Sequence, residues 1–142
     1  MGLFDALGIS GSGLTAQRMR MDVTAENLAN AQSVGYKRKD VVLQQAAGDG
    51  GFGGALASAM GGSSTGGGGV QVAQIVQDQS AGRKVYDPSH PDADKQGYVT
   101  LPNVNPVTEM VDLITSSRGY EANVTAMNAA KQMFTKTFDV LR

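Results

Sequence analysis

The C-terminal third of this 142-residue chain carries large side chains at intervals of seven residues. The main series consists of Leu113, Tyr120, Met127, Phe134 and Leu141. A companion series begins three residues earlier and consists of Met110, Ser117, Val124, Lys131 and Phe138. Because a seven-residue repeat keeps one seam on one side of a helix, this pattern predicts a long helix with a coiled-coil-type face. Asn105 and Pro106 suit the cap and the first position, so we expect a helix over 106–141, about 53 Å long.

A second seven-residue repeat lies near the N-terminus, at Leu7, Leu14, Met21 and Leu28. It predicts a helix over 12–31, for which Ser10 or Ser12 is a candidate cap. Other sides of this helix carry Ala16, Met19, Val23, Asn27 and Asn30. Since an ordinary surface helix is polar on its outer side, we expect this helix to be covered from two directions. The repeat would contact the C-terminal helix within a subunit, whereas Met19, Val23, Asn27 and Asn30 would face neighbouring subunits.

The segment between the two helices has the composition of short strands. Runs rich in Val, Ile and Tyr predict strands at 41–44, 70–76, 83–86 and 97–101. Eleven of the 19 glycines lie within 48–69, which predicts a flexible loop because the tract has little to bury and much backbone entropy to lose.

The predicted fold is mainly α with a small β region, in which the long terminal helices pair as a coiled-coil-like hairpin. The short strands and the Gly-rich loop lie between these helices. The expected parts are an N-terminal helical segment (1–33), a β-rich connecting region (34–105) and a C-terminal long helix (106–142).

The residue types give little support for catalysis. The chain has no cysteine, one histidine and a net charge of −1. These values exclude disulfides and thiolate nucleophiles, and they argue against broad electrostatic binding to nucleic acid. The sequence contains neither an apolar run of about 20 residues nor the pattern of a secretory signal. We therefore expect no enzyme activity, no cofactor and no small-molecule substrate.

One alternative class of function comes from a proline-containing segment around the single histidine. His90 stands close in sequence to Asp87, Asp92 and Asp94. Imidazole and carboxylate groups are common metal ligands, so a small metal-binding or hydrolytic site is one hypothesis. A turn stabilised by aspartate side chains is the other, and it accounts for the same residues without a metal.

The junction between the first helix and the first strand forms a compact motif within 24–39. Its distinctive residues are Asn27, Leu28, Asn30, Gly35 and Tyr36. Amide side chains at a helix end can satisfy the terminal backbone groups, and a glycine there permits a turn. A capping role explains the motif from its residues alone.

Three stretches of the chain resemble one protein family. The sequence NLANAQSVGYKR at 27–38 is similar to the N-terminal signature of bacterial flagellar rod and hook proteins. The stretch SRGYEANVTAMNAAKQMFTKTFDVL at 117–141 resembles their C-terminal helix motif. The stretch 86–124 is closest to the proximal-rod member of the family, although another axial rod component remains an alternative.

The resemblance implies a non-enzymatic structural subunit of the flagellar basal body. Such a subunit would pass through the flagellar type III export apparatus without a cleaved signal peptide and would join the rod within the periplasm. The implied partners are other copies of the chain, other rod proteins, the inner-membrane ring and the adaptor protein at the rod base. The family also implies that the terminal helices pack as a coiled coil along the inner part of the tube.

Overall fold

A computed structural model of the protein describes residues 3–46 and 68–140. The elements, in chain order, are α1 (Leu3–Ala29), β1 (Lys39–Gln45), β2 (Val70–Gln77), β3 (Arg83–Tyr86), β4 (Tyr98–Leu101) and α2 (Pro106–Val140). The prediction of a mainly helical chain with a small β region is confirmed. No helix within the described ranges is both long enough and apolar enough to cross a membrane.

Helix α2 begins where the sequence predicts. Pro106 is its first residue, and the side-chain oxygen of Asn105 accepts a hydrogen bond from the Val107 amide at 3.1 Å. Proline has no amide hydrogen to leave unpaired at this position, and the asparagine satisfies one of the free amides of the first turn. The helix spans 35 residues, which corresponds to about 52 Å.

Helix α1 begins earlier than predicted, at Leu3 instead of residue 12. The expected cap Ser12 lies inside the helix, where its hydroxyl donates to the Ile9 carbonyl (2.7 Å) and accepts from the Val70 amide of β2 (3.0 Å). Glycines at 8, 11 and 13 lower the intrinsic helix propensity of this segment, which is why the sequence places the start too late. Packing against α2 and β2 overrides that weak local preference.

The two helices pack side by side and run antiparallel. Asn27 of α1 contacts Glu109 of α2, whereas Gly13 lies next to Asn123, so residue numbers rise in opposite directions along the pair. The buried positions of the helices are Ala16, Val23, Thr24 and Asn27 on α1, and Glu109, Ser116 and Ala130 on α2. Small and polar side chains therefore occupy much of the contact, which permits a close approach of the two backbones.

The predicted outward orientation of Val23 and Asn27 is wrong. Val23 is 6% exposed and Asn27 is 1% exposed within the single chain. The physical reason is that the seven-residue repeat predicts an inner face of large side chains, whereas smaller residues such as Ala16, Ser116 and Ala130 are the buried ones. Met19 and Asn30 are partly exposed.

The heptad residues themselves are of intermediate burial. Those with described side chains are Leu7, Leu14, Met21, Leu28, Leu113, Tyr120, Val124, Met127 and Phe134, and each is partly exposed. Leu141 and the side chain of Phe138 lie outside the described part of the chain. Most of the heptad surface is therefore covered in the single subunit, and a smaller part of it remains accessible.

The four strands form two antiparallel pairs, and all four predicted strands are confirmed. Strands β1 and β2 pair from Lys39↔Gln77 to Gln45↔Val70, with an irregularity after Val42. Strands β3 and β4 pair from Arg83↔Leu101 to Tyr86↔Tyr98. The β1–β2 pair packs on α1 and buries Val41. Most of the predicted Gly-rich loop at 48–69 lies outside the described residues, which resume at Gly68.

Candidate assembly site

A network of polar side chains joins α1, β1 and α2, and Asn27 is its centre. The Asn27 amide nitrogen donates to the Lys39 carbonyl (2.8 Å) and to Glu109 Oε2 (3.1 Å). Its oxygen accepts from the Lys39 amide (2.9 Å) and from the Tyr36 hydroxyl (2.9 Å). Both donors and both lone pairs of the amide are therefore used, which is what burial of such a group requires.

Glu109 supplies the connection to α2. Its carboxylate is 1% exposed, and Oε1 accepts a hydrogen bond from Arg38 Nε at 2.7 Å. This bond raises the pKa of Arg38 above its ordinary value. A buried carboxylate is stable only when it is paired, so Arg38 and Asn27 together hold the first turns of α2 against the helix–strand junction.

The turn after α1 brings Tyr36 back towards the helix. Gly35 has a φ of 78°, a left-handed conformation that favours glycine, and the Tyr36 amide donates to the Ser33 carbonyl at 3.2 Å. Burial is the largest cause of a raised pKa at Tyr36, and the nearby charge of Glu26 adds to it. A tyrosine hydroxyl is protonated at neutral pH even at its ordinary pKa, so the Tyr36 hydroxyl can donate to Asn27.

The two asparagines of the sequence motif have different roles. Asn30 Nδ2 donates to the Glu26 carbonyl at 2.9 Å, and Asn30 Oδ1 accepts from the Ser33 hydroxyl at 3.1 Å. Asn30 therefore satisfies groups at the helix end, as the sequence suggests. Asn27 instead bridges three elements. Leu28, between them, is partly exposed.

Nothing in the local sequence pattern indicates Glu109 as a site residue. An acidic residue in the first turn of a helix is common because it stabilises the helix dipole, and nothing local distinguishes this one. Its partner Asn27 is 82 residues away in the sequence. The role of Arg38 cannot be predicted from the sequence either, because the basic triplet Lys37–Lys39 has the composition of an exposed strand edge.

The opposite side of the first three turns of α2 is apolar and exposed. We call this surface the α2 stripe; it consists of Val107 (64% exposed), Met110 (45%), Val111 (56%) and Ile114 (53%). The spacing i, i+3, i+4, i+7 places these four side chains on one helix face. Glu109 points to the other side, so the buried network determines where the stripe lies relative to α1.

A cleft of about 230 Å³ lies between α1, β1 and α2. Its charged residues are Arg20, Arg38, Lys39, Asp40 and Asp112. Charges of both signs line it, and Arg38 and Lys39 are already paired with Glu109 and Glu26, respectively. This lining provides neither the excess of one charge nor the apolar wall that ligand sites usually have.

The aspartates near His90 form turns. Asp87 accepts from the amide and hydroxyl of Ser89, and Asp94 accepts from the amides of Gln96 and Tyr98. These bonds lower the pKa of both carboxyls. Across residues 3–46 and 68–140, no three His, Cys, Asp or Glu side chains come close enough together to hold a metal ion. The geometry therefore agrees with the turn hypothesis.

Two family models match the chain. The model described as "Flagella basal body rod protein" covers residues 7–37, which include Asn27 and Tyr36. The model described as "Flagellar basal body rod FlgEFG protein C-terminal" covers residues 95–140, which include Glu109 and the α2 stripe. Most of α1 and all of α2 thus lie within the matched segments.

Curated relatives match nearly the whole chain. The flagellar basal-body rod protein FlgC of Bacillus subtilis (strain 168) is 49% identical, and the match covers 99% of each chain. The FlgC protein of Borreliella burgdorferi is 40% identical over 100% of this chain and 99% of the relative. That of Aquifex aeolicus is 38% identical over 98% and 97%, respectively. The chain therefore belongs to the FlgC family of flagellar basal-body rod proteins, which are structural subunits of the flagellar rod.

Proposed function

We propose that this chain polymerises into the proximal part of the flagellar rod through its terminal helices and that the α2 stripe is one of its contacts with neighbouring subunits. The exposure of the four stripe residues, between 45% and 64%, is the observation that carries the proposal. Full burial of a side chain of this size is worth about 1.5–3 kcal/mol, so partial burial of four gives a useful association energy. Such a helix face is unfavourable in water and favours a protein partner.

The heptad residues supply the second part of the proposed contact. Leu7, Leu14, Met21 and Leu28 on α1, and Leu113, Tyr120, Val124, Met127 and Phe134 on α2, are partly exposed in the single subunit. We assign them, with Phe138 and Leu141, to coiled-coil-like packing that becomes complete when helices of neighbouring subunits pack alongside. The segments 1–33 and 106–142 then form the axial core of the subunit, and 34–105 is the region that connects them.

Family membership supports the following proposed setting. The chain passes through the flagellar type III export apparatus without a cleaved signal peptide and assembles within the periplasm. Its partners are further copies of itself, other rod proteins, the inner-membrane ring and the adaptor at the rod base. Its role is mechanical, with no catalytic step, and it supports flagellum-dependent motility.

A charge placed on the α2 stripe tests the proposal. Ile114→Asp should leave the isolated subunit folded, because this side chain is 53% exposed, and should prevent incorporation into rods. Thr108→Asp is the matched control, since it adds the same charge to an exposed position of the same helix outside the stripe. Thermal unfolding reports the fold, whereas isolated basal bodies and swimming assays report incorporation. Normal swimming of cells that carry only the Ile114→Asp protein would contradict the proposal.

A further inference from the structure

The middle of the α1–α2 contact pairs two carboxamides with two glycines. Gly13 and Gln17 are one helical turn apart on α1, and Gly119 and Asn123 are one turn apart on α2. Because the helices are antiparallel, Gly13 faces Asn123 and Gln17 faces Gly119. Each helix therefore contributes one glycine and one amide side chain. The amide side chain of each helix occupies the space next to the glycine of the other.

The contacts are closer than any other residue would permit without a shift. A Cβ atom built on Gly13 would lie 3.0 Å from Asn123 Nδ2, and one built on Gly119 would lie 3.2 Å from Gln17 Cδ and Nε2. Favourable contacts between such atoms have separations of about 3.5–4.0 Å. By contrast, a Cβ on Gly8 would meet nothing within 4 Å.

The polar groups of the two amides are not equally satisfied. Asn123 Nδ2 donates to the Gly119 carbonyl at 3.0 Å. Gln17 Oε1 is buried and has no hydrogen-bond partner in the described part of the chain. An apolar side chain at position 17 would avoid that cost, so stability alone does not account for glutamine here. Buried polar groups in helix contacts are known to select one alignment over others at a cost in stability.

We propose that Gln17 and Asn123 set the register of the α1–α2 pair, because each amide side chain packs against the glycine of the opposite helix. A slip of one turn in one direction would place Gln17 against Asn123, where two amides compete for the same space. A slip in the other direction would place Gly13 against Gly119 and leave a gap. Only the observed alignment puts a glycine opposite each amide, about 15 Å along the pair from the Asn27 network.

Two double-mutant cycles test the packing of the amides against the glycines, and Gly8→Ala is the control. Gly8→Ala should lower the unfolding equilibrium constant about fivefold, because alanine is the better helix former and the site is open. Gly13→Ala and Gly119→Ala should not lower the unfolding equilibrium constant in this way, since the new methyl groups meet Asn123 and Gln17. The stabilisation should reappear when Gly13→Ala is made in an Asn123→Ala background and when Gly119→Ala is made in a Gln17→Ala background. Equal stabilisation by all three glycine substitutions in the otherwise unchanged chain would overturn the proposal.

A distance measurement tests the register itself. The chain has no cysteine, so two spin labels can be attached to cysteines placed at the exposed positions Thr15 and Gln132, which are offset along the pair. The otherwise unchanged chain should give a single distance. Substitution of both Gln17 and Asn123 by leucine should add a second population, displaced along the axis by about one helical turn of 5.4 Å. One unchanged distance in the leucine variant would overturn the proposal, because the register would then be set elsewhere.

Discussion

The two faces of the first three turns of α2 reverse the usual distribution of residues. The inward face buries Glu109 and Ser116, whereas the outward face exposes Val107, Val111 and Ile114. Burial of a carboxylate costs free energy unless it is paired, and exposure of valine and isoleucine forfeits hydrophobic stabilisation. This reversal suits a subunit whose inner contacts define one geometry and whose outer contacts provide the energy of association.

A substitution that breaks the contacts of the inward face should have the largest effect on the free energy of unfolding. Arg38→Met removes the guanidinium that pairs with Glu109 and leaves a carboxylate that is 1% exposed without its charged partner. We expect a loss of about 3–5 kcal/mol in the free energy of unfolding, measured by urea denaturation, as for other broken buried pairs. Lys37→Met is the control, because Lys37 is exposed and, in the described part of the chain, its ammonium donates to the exposed Gln79 side chain. Similar stabilities of the two variants would show that the network does not hold α2.

A smaller effect should separate the two asparagines of the motif. Asn27→Ala removes one partner from each of four groups: the Tyr36 hydroxyl, the Glu109 carboxylate, and the amide and the carbonyl of Lys39. We expect it to lower the free energy of unfolding by more than about 2 kcal/mol, because several buried groups lose a bond. Asn30→Ala removes bonds at a half-exposed helix end and should cost about 1 kcal/mol. Equal losses would mean that Asn27 is no more than a helix cap.

Local patterns in the sequence were sufficient for most of the fold. The heptad repeat and the Asn105–Pro106 start predicted α2, and β-rich runs predicted the four strands, because these signals depend on residues close in sequence. The sequence predicts too late a start for α1, since three glycines lower the local helix propensity and the compensating contacts come from α2 and β2.

The site could be predicted only in part. The motif points to Asn27 and Tyr36 but not to Glu109, the partner of Asn27, because that contact spans 82 residues and an acidic helix start is common. The heptad repeat showed which residues are large and apolar, but it could not show that small side chains would take the inner face. The predicted seam includes only Met110 of the four α2 stripe residues. Val107, Val111 and Ile114 lie outside the seven-residue repeat.

Chemical labelling of one position tests the reversal of the two faces most directly. A single cysteine can replace Ile114 in a chain that has no other cysteine, and its reaction with a maleimide can be followed in the isolated subunit and in purified basal bodies. The proposed use of the α2 stripe predicts rapid labelling of the isolated subunit and strong protection in the assembled rod. Equal labelling in both states would contradict the assignment of the stripe to a contact between subunits.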